Sequence, residues 1–448
     1  MGDRQPNEGL KRLYAATGWT LRRFAQEVNK VATERGTPTR YQPPSAHQWL
    51  DGHLPKEEVR PLILEAFARQ LQRPVTHAEA GFPVPVYDRR DVSTVEGLLD
   101  LGRQDVDPSR RSVIGAGTRL FSVALAVPGW QDVVGRMEAI QTGRTQHIGM
   151  PEVESVIAMT DRLSDLDDQF GGRYARPMAA AFLVNIVAPY MKADAPSVVR
   201  KAMMSAASFL CYLTGWMAVD EGSHGTAQKY YVKGLELAGA SDDHLTYCHI
   251  LRGMSVQSVD LGHGPTAANW ANAASEASPT AGPRMTAFMA GQQAHSYAVA
   301  GERSNALYSI RQTEAALNKA DSQRGTFGGY NAATFAYHTA QVRYALGDVA
   351  GSVESLQLCF RLRNSKNDSH RGDLRFGAML AERQLAIGHL DAACATWGTV
   401  VDGCPAIRSG QVDNHVTEMF RLIRPHLKNS AARDLYERAR LAAPLLAA

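Results

Sequence analysis

Between residues 44 and 51 the chain sets hydrogen-bonding side chains against an apolar stripe. In a helix, with about 100° between successive residues, Ala46, Trp49 and Leu50 face inward. Pro44, Gln48 and Asp51 face outward, with Ser45 and His47 flanking them. A glutamine amide can bridge N6 and N7 of adenine, and serine or histidine can reach a base edge or a phosphate. Arg22, Arg23, Arg40 and Lys56 stand near this segment in sequence and are suited to positioning it on phosphates. The first 50 residues hold eight basic side chains against four acidic ones, whereas the whole 448-residue chain has a net charge of only +3. A local basic surplus of this kind favours phosphate contact. The competing reading is a helical cap whose polar side merely faces water.

A second constellation recurs farther along. Six residues before Gly222, Gly262, Gly301, Gly347 and Gly388 stand Trp216, Val256, His295, Gln341 and Glu382, with Arg252, Gln292, His338 and Tyr344 on the same faces. If these helices line a concave wall, Arg252, Gln292, His295, His338, Gln341 and Tyr344 can grip a peptide backbone or a small polar ligand. His295 and His338 on such a wall would make the response sensitive to pH near neutrality. Ordinary solvated faces between stacked helices are the alternative.

Other chemistries find little support. There is no nucleophile elbow, HExxH motif or P-loop, and Gly115-x-Gly117 lacks the third glycine of a dinucleotide fingerprint. No enzyme and no cofactor are expected. His244, Cys248 and His249 share a helical face without a fourth ligand, so no metal is expected there. Asp165, Asp167 and Asp168 lack the glycine of a calcium loop, Phe170 standing in its place, and read as a charged helix end. Five cysteines without a CxxC spacing read as reduced thiols of a cytoplasmic protein. The Arg110-Arg111 pair before an apolar stretch resembles a twin-arginine export signal, but it follows a complete folded unit and reads as a linker. No run of eighteen apolar residues suggests a membrane span.

The elements that must position these residues are helical. Leu10, Leu13 and Tyr14 share a face. Thr20 is a good N-cap for a helix burying Leu21, Phe24, Ala25 and Val28, and Asp51-Gly52 ends the next helix. Pro61 suits the first turn of a further apolar helix. Proline and a charged run at 88–91 put a boundary near residue 85, and 86–150 read as a connector with helical segments. From 151 to 448 the five glycines recur about every 40 residues, each followed five positions later by a small residue: Ala227, Ala267, Ala306, Ser352 or Ala393. Glycine suits a tight turn between antiparallel helices, and a small residue beyond it lets the second helix pack closely. Such hairpins stack into a solenoid, because none buries its apolar face alone.

This register resembles the tetratricopeptide repeat, though that repeat is nearer 34 residues. Residues 15–60 resemble the Xre-type helix-turn-helix of phage repressors: Phe24-Ala25 match its first helix, and Ala46 and Trp49 its recognition helix. The connection from Asn29 to Pro44 is longer than the usual three- or four-residue turn. The segments Gly18-Trp19-Thr20, Trp49-Leu50-Asp51-Gly52, Pro74-Val75-Thr76, Phe170-Gly171-Gly172 and Gly215–Asp220 resemble actinomycete regulators that join the two modules. The resemblance implies an all-α protein with a helix-turn-helix domain over 1–85 and a tetratricopeptide-like solenoid over 151–448. It further implies a cytoplasmic, homodimeric transcriptional regulator that binds a double-stranded DNA operator. Its array would take a peptide, small-molecule or protein effector. A repeat-based scaffold that uses residues 1–85 for protein contact alone is the alternative.

Overall fold

The computed structural model describes residues 6–34, 38–71, 75, 77, 79–83, 94–106, 147–277, 282–320, 330–363 and 369–443. The protein is all-α: helices make up its regular structure, and among the described residues the one β-type contact is an isolated bridge between His147 and Asp194. Most of the expected connector over 86–150, with the Arg110-Arg111 pair and Gly115-x-Gly117, lies outside the described residues.

Four helices form the head: α1 Glu8–Thr17, α2 Leu21–Glu34, α3 Pro43–Leu50 and α4 Arg60–Leu71. The Asn7 side chain caps α1 by accepting from the Leu10 backbone N–H, and Gly18 ends the helix with φ +65°. Thr20 starts α2 as expected, its hydroxyl accepting from the Arg23 N–H at 3.2 Å. The second helix runs to Glu34, so Val31 and Ala32 extend its buried stripe. Phe24 lies at the middle of the core, its ring 4.9 Å from Phe67 and 5.8 Å from Tyr14 and Trp49. The long connection to α3 is tied back by Asn29. Its amide donates to the Tyr41 carbonyl at 2.9 Å and accepts from the Tyr41 N–H and the Thr39 hydroxyl at 2.8 Å.

A fifth helix, α5 Thr94–Val106, packs on the array rather than on the head. The buried Arg176 joins its Asp105 to Glu221, and the Tyr230 hydroxyl donates to Asp105 at 3.1 Å. The array opens with α6 Met150–Phe170, α7 Gly172–Phe182, a π-helical turn Leu183–Val187 and the short α8 Ala188–Lys192. Antiparallel hairpins follow: α9 Ser197–Asp220 with α10 His224–Ser241, α11 His244–Asp260 with α12 Gly264–Glu276, and α13 Pro283–Val299 with α14 Arg303–Leu317. The last are α15 Ala332–Ala345 with α16 Val349–Leu362, α17 His370–Ala386 with α18 Leu390–Gly403, and α19 Gly410–Ile423 with α20 Ser430–Ala442. α9 is long and apolar enough to cross a membrane, but 72% of its apolar window is buried within the fold.

The glycine register corresponds to the hairpin turns. Gly222, Gly262, Gly301, Gly347 and Gly388 all lie in the left-handed region, with φ from +71° to +87°. Ala227, Ala267, Ala306, Ser352 and Ala393 are all fully buried against the preceding helix. At each turn the backbone N–H groups close on the last helical carbonyls, as from Gly301 to Ala298 and from Glu302 to Tyr297.

The array also curls until its end meets its beginning. The Arg408 N–H donates to the Phe170 carbonyl at 2.7 Å, and the Arg173 N–H donates to the Arg408 carbonyl at 3.1 Å. Gly171, with φ +90°, lies so close that a Cβ there would stand 2.5 Å from the Arg408 carbonyl oxygen. Its neighbour Gly172 packs equally closely on α9, where a Cβ would come 2.7 Å from the Met217 carbonyl. This accounts for the Phe170-Gly171-Gly172 segment: two glycines allow three backbones to meet.

Two substitutions test the hairpin geometry by thermal unfolding followed with circular dichroism. Ala306→Leu should overpack the α13–α14 contact and destabilise by about 1–3 kcal/mol. Gly301→Ala adds a methyl in open space but forces a left-handed alanine, and should cost about 1–2 kcal/mol.

Candidate functional site

The eight residues suited to nucleic-acid contact all lie on the head. Arg22, Arg23, Arg40, Pro44, His47, Gln48 and Lys56 are exposed and Ser45 is half-buried, while Ala46, Trp49 and Leu50 turn into the core. Pro43 and Pro44 occupy the first turn of α3, where a missing N–H costs nothing. Between the start of α2 and the outer side of α3 runs an open depression of about 440 Å³, lined by Leu21, Pro43, Pro44, His47 and Gln48. Arg23, exposed, bridges the half-buried Glu27 at 2.8 Å, and His47 bridges Asp51 at 2.8 Å on the surface. Surface pairs of this kind are worth little and exchange readily for another anion. The role of Asn29 in fixing α3 against α2 had no signal in the apolar pattern, because its partners at 39 and 41 lie in a connection.

The second constellation does not form the open groove expected of it. Arg252, Gln292 and His338 are buried, as are His295 and Gln341; Tyr344 alone stays half-exposed. Gln292 donates to the Ser255 hydroxyl at 3.1 Å, and His338 shares a 2.8 Å hydrogen bond with Tyr330. Arg252 stacks on the Phe288 ring with its guanidinium carbon 3.7 Å from the centroid. What remains open is a cleft of about 400 Å³ at the turn end of the array, where His295, Gln341 and Tyr344 meet Val259, Asp260, Ala298, Val299, Ala345 and Arg383. The pH sensitivity expected of His295 and His338 is corrected too. Burial first, then Arg375, Arg383 and Arg252, push the His295 pKa down to about 3. Burial and the Arg252 charge hold His338 well below the ordinary histidine range. Both rings therefore stay neutral around neutral pH.

Arginines of α17 reach across the centre to other helices. Arg371 contacts Asp167 at 2.7 Å and Asp220 at 3.4 Å. Asp220 also accepts from the Gly172 N–H at 3.1 Å and the Ser409 hydroxyl at 2.6 Å. Arg375 donates to both oxygens of Asp260, at 3.0 and 3.1 Å. Asp167 is thus no solvated helix end but a buried carboxylate, and its Oδ1 has no hydrogen-bond partner. Burial outweighs the attraction of Arg371 and, with Asp220 and Asp168 nearby, raises the Asp167 pKa to about 7. No three His, Cys, Asp or Glu side chains among the described residues are grouped to hold a metal ion. All five cysteines are free, four of them buried.

Residues 10–83, the greater part of the head, match the family model described as the SP15 N-terminal domain. No curated protein matches the chain.

Asp167 offers a pH test. Its pKa is raised on folding, so its stabilising contribution is full below about pH 4 and is lost as pH rises through about 7. The unfolding midpoint of the wild-type chain should therefore fall relative to that of Asp167→Asn across this range. A constant difference between the two would contradict the assignment.

Proposed function

We propose that the chain is a sequence-specific DNA-binding transcriptional regulator, cytoplasmic and without enzymatic activity. In this reading the head is a helix-turn-helix domain, and the tetratricopeptide-type array binds an effector and mediates homodimerisation. The observation that carries it is the outer side of α3. On a domain with its own apolar core, Pro44, His47 and Gln48 project unburied beside Ser45, with Arg22, Arg23, Arg40 and Lys56 exposed around them. A short helix with polar residues outward and flanking cations suits entry into a major groove, with bases read by α3 and phosphates held by its neighbours.

Operator fragments selected from genomic DNA, followed by gel-shift titration, test the reading. Arg22→Ala and Arg23→Ala should weaken binding to every sequence and lessen its salt dependence. Gln48→Ala should relax preference at one base pair, by about 1–3 kcal/mol against the wrong base. Retention of full selectivity in Gln48→Ala would remove α3 as the reading element. Failure to select any DNA would leave the head as a protein-contact module.

A single head covers few base pairs, and such domains commonly bind as pairs on two-fold sites. Light scattering should give the mass of a dimer, free and on DNA. A monomer in both states would rule out this mode of binding.

A further inference from the structure

Among the described residues Arg252, Arg371, Arg375 and Arg383 turn toward the interior of the array, and they are not equally compensated. Arg371 lies between Asp167 and Asp220, and Arg375 holds both oxygens of Asp260. Burial opposes the charge of each, but the carboxylates outweigh it and raise both pKa values. Among the described residues Arg252 and Arg383 have no carboxylate partner, and burial lowers theirs. The nearest acid to influence Arg383, Glu382, is engaged at 2.8 Å by His415.

Arg383 lies in the wall of the cleft. Among the described residues its five N–H donors meet neutral acceptors: the Ser352 hydroxyl at 2.7 Å, the Ala340 carbonyl at 3.5 Å and the Gln341 amide oxygen. Its guanidinium stacks on the half-exposed Tyr344 ring, 4.2 Å from the centroid. The carboxylate in the same cleft is already spent, since Asp260 is held by Arg375 and by Gln411 at 3.3 Å. Helix C-terminal ends also face this region and carry partial negative charge. Their last carbonyls are occupied by the turns, Gly262 N–H on Val259 and Gly347 N–H on Tyr344. A desolvated cation without an anion is costly. A fold that keeps one of them, Arg383, in the wall of an open cleft and the other, Arg252, deeper along α11 against Phe288 has left a counter-charge to be supplied from outside.

We propose that the cleft binds a small organic anion through a carboxylate or phosphate group. Arg383 is its direct partner, Tyr344 stacks on the ligand's body, and Arg252 adds a second, deeper positive charge. The volume of about 400 Å³ suits a metabolite-sized ligand. A planar guanidinium favours two-point recognition of an oxyanion. His295 is buried beside Arg383 and stays neutral, so it can donate one hydrogen bond and adds no competing charge. The inference rests on the array being the effector-binding part of the proposed regulator, and narrows the effector to one chemical class.

The experiment uses the full chain without DNA: thermal unfolding and calorimetry with phosphate and with citrate, at ionic strength matched by chloride. The wild type should show a saturable rise in unfolding midpoint with one or both anions, and the response to each separates phosphate from carboxylate preference. Arg383→Met should bind at least tenfold more weakly, with Arg383→Lys intermediate. Because Arg383→Met loses only neutral hydrogen bonds and the Tyr344 stack, this variant without anion should unfold only slightly earlier than wild type, whereas Arg371→Met, which loses two carboxylate partners, should unfold markedly earlier. Absence of a saturable response, an equal response in Arg383→Met, or failure of Arg383→Met to fold would each overturn the proposal. A gel shift with and without the bound anion then separates the two readings. Anion binding without effect on DNA leaves the cleft assigned and removes the regulatory role. DNA binding by a chain that takes no anion does the reverse.

Discussion

Arg371 is buried at the centre of the array, away from bulk solvent, and the fold answers with Asp167 and Asp220 from two other helices. An unpaired guanidinium there would be costly, whereas carboxylates in contact recover much of that penalty. The pairing draws α17 onto α6 and α9 and converts a row of stacked hairpins into a closed turn. Asp220 extends the contact by binding the N-terminal end of α7 and the Ser409 hydroxyl ahead of α19. Burial above all, with Asp220 and Asp168 close by, is why the deeper Asp167 takes up a proton so readily in spite of Arg371.

Closure changes the meaning of the inner helical faces. In an open solenoid the polar residues of α11, α13 and α15 would meet solvent. Here they meet one another, as in the Gln292–Ser255–Ser296 hydrogen bonds and the Tyr330–His338 pair. Aromatic rings fill the space between them, with Tyr337 stacked on Phe376 at 4.4 Å and Tyr212 edge-on to His249 at 4.4 Å. Buried polar networks of this sort specify one arrangement when satisfied, since any displacement strands a donor or acceptor. What stays open is the turn end, where the hairpins diverge around Tyr344.

Head and array have separate apolar cores. The chain leaves the head at Pro83 and enters the array at Thr94, where α5 already belongs to the array through Asp105 and Arg176. An effector that altered array curvature would act on the helices that include this attachment, and the proposed regulation needs that route.

The amino-acid sequence by itself determined the helices, their turns and the polarity of the head. A left-handed glycine followed five residues later by a small buried residue is a local requirement of five of the six hairpins, and so it is visible one hairpin at a time. The outward placement of Pro44, His47 and Gln48 follows from the stripe of Ala46, Trp49 and Leu50 on an eight-residue helix. Only the tertiary structure decided that Arg252, Gln292 and His338 are buried, that Asp167 is a core carboxylate, and that Arg383 lines the cleft. Arg371 and Asp167 stand 204 residues apart, and neither has an apolar neighbourhood that marks it for burial. Helical periodicity records which face of a helix turns inward, but a polar residue on that face reads the same in an open groove as in a closed centre. The difference lies in the accumulated angle of successive hairpins, a small rotation at each contact that no single segment encodes.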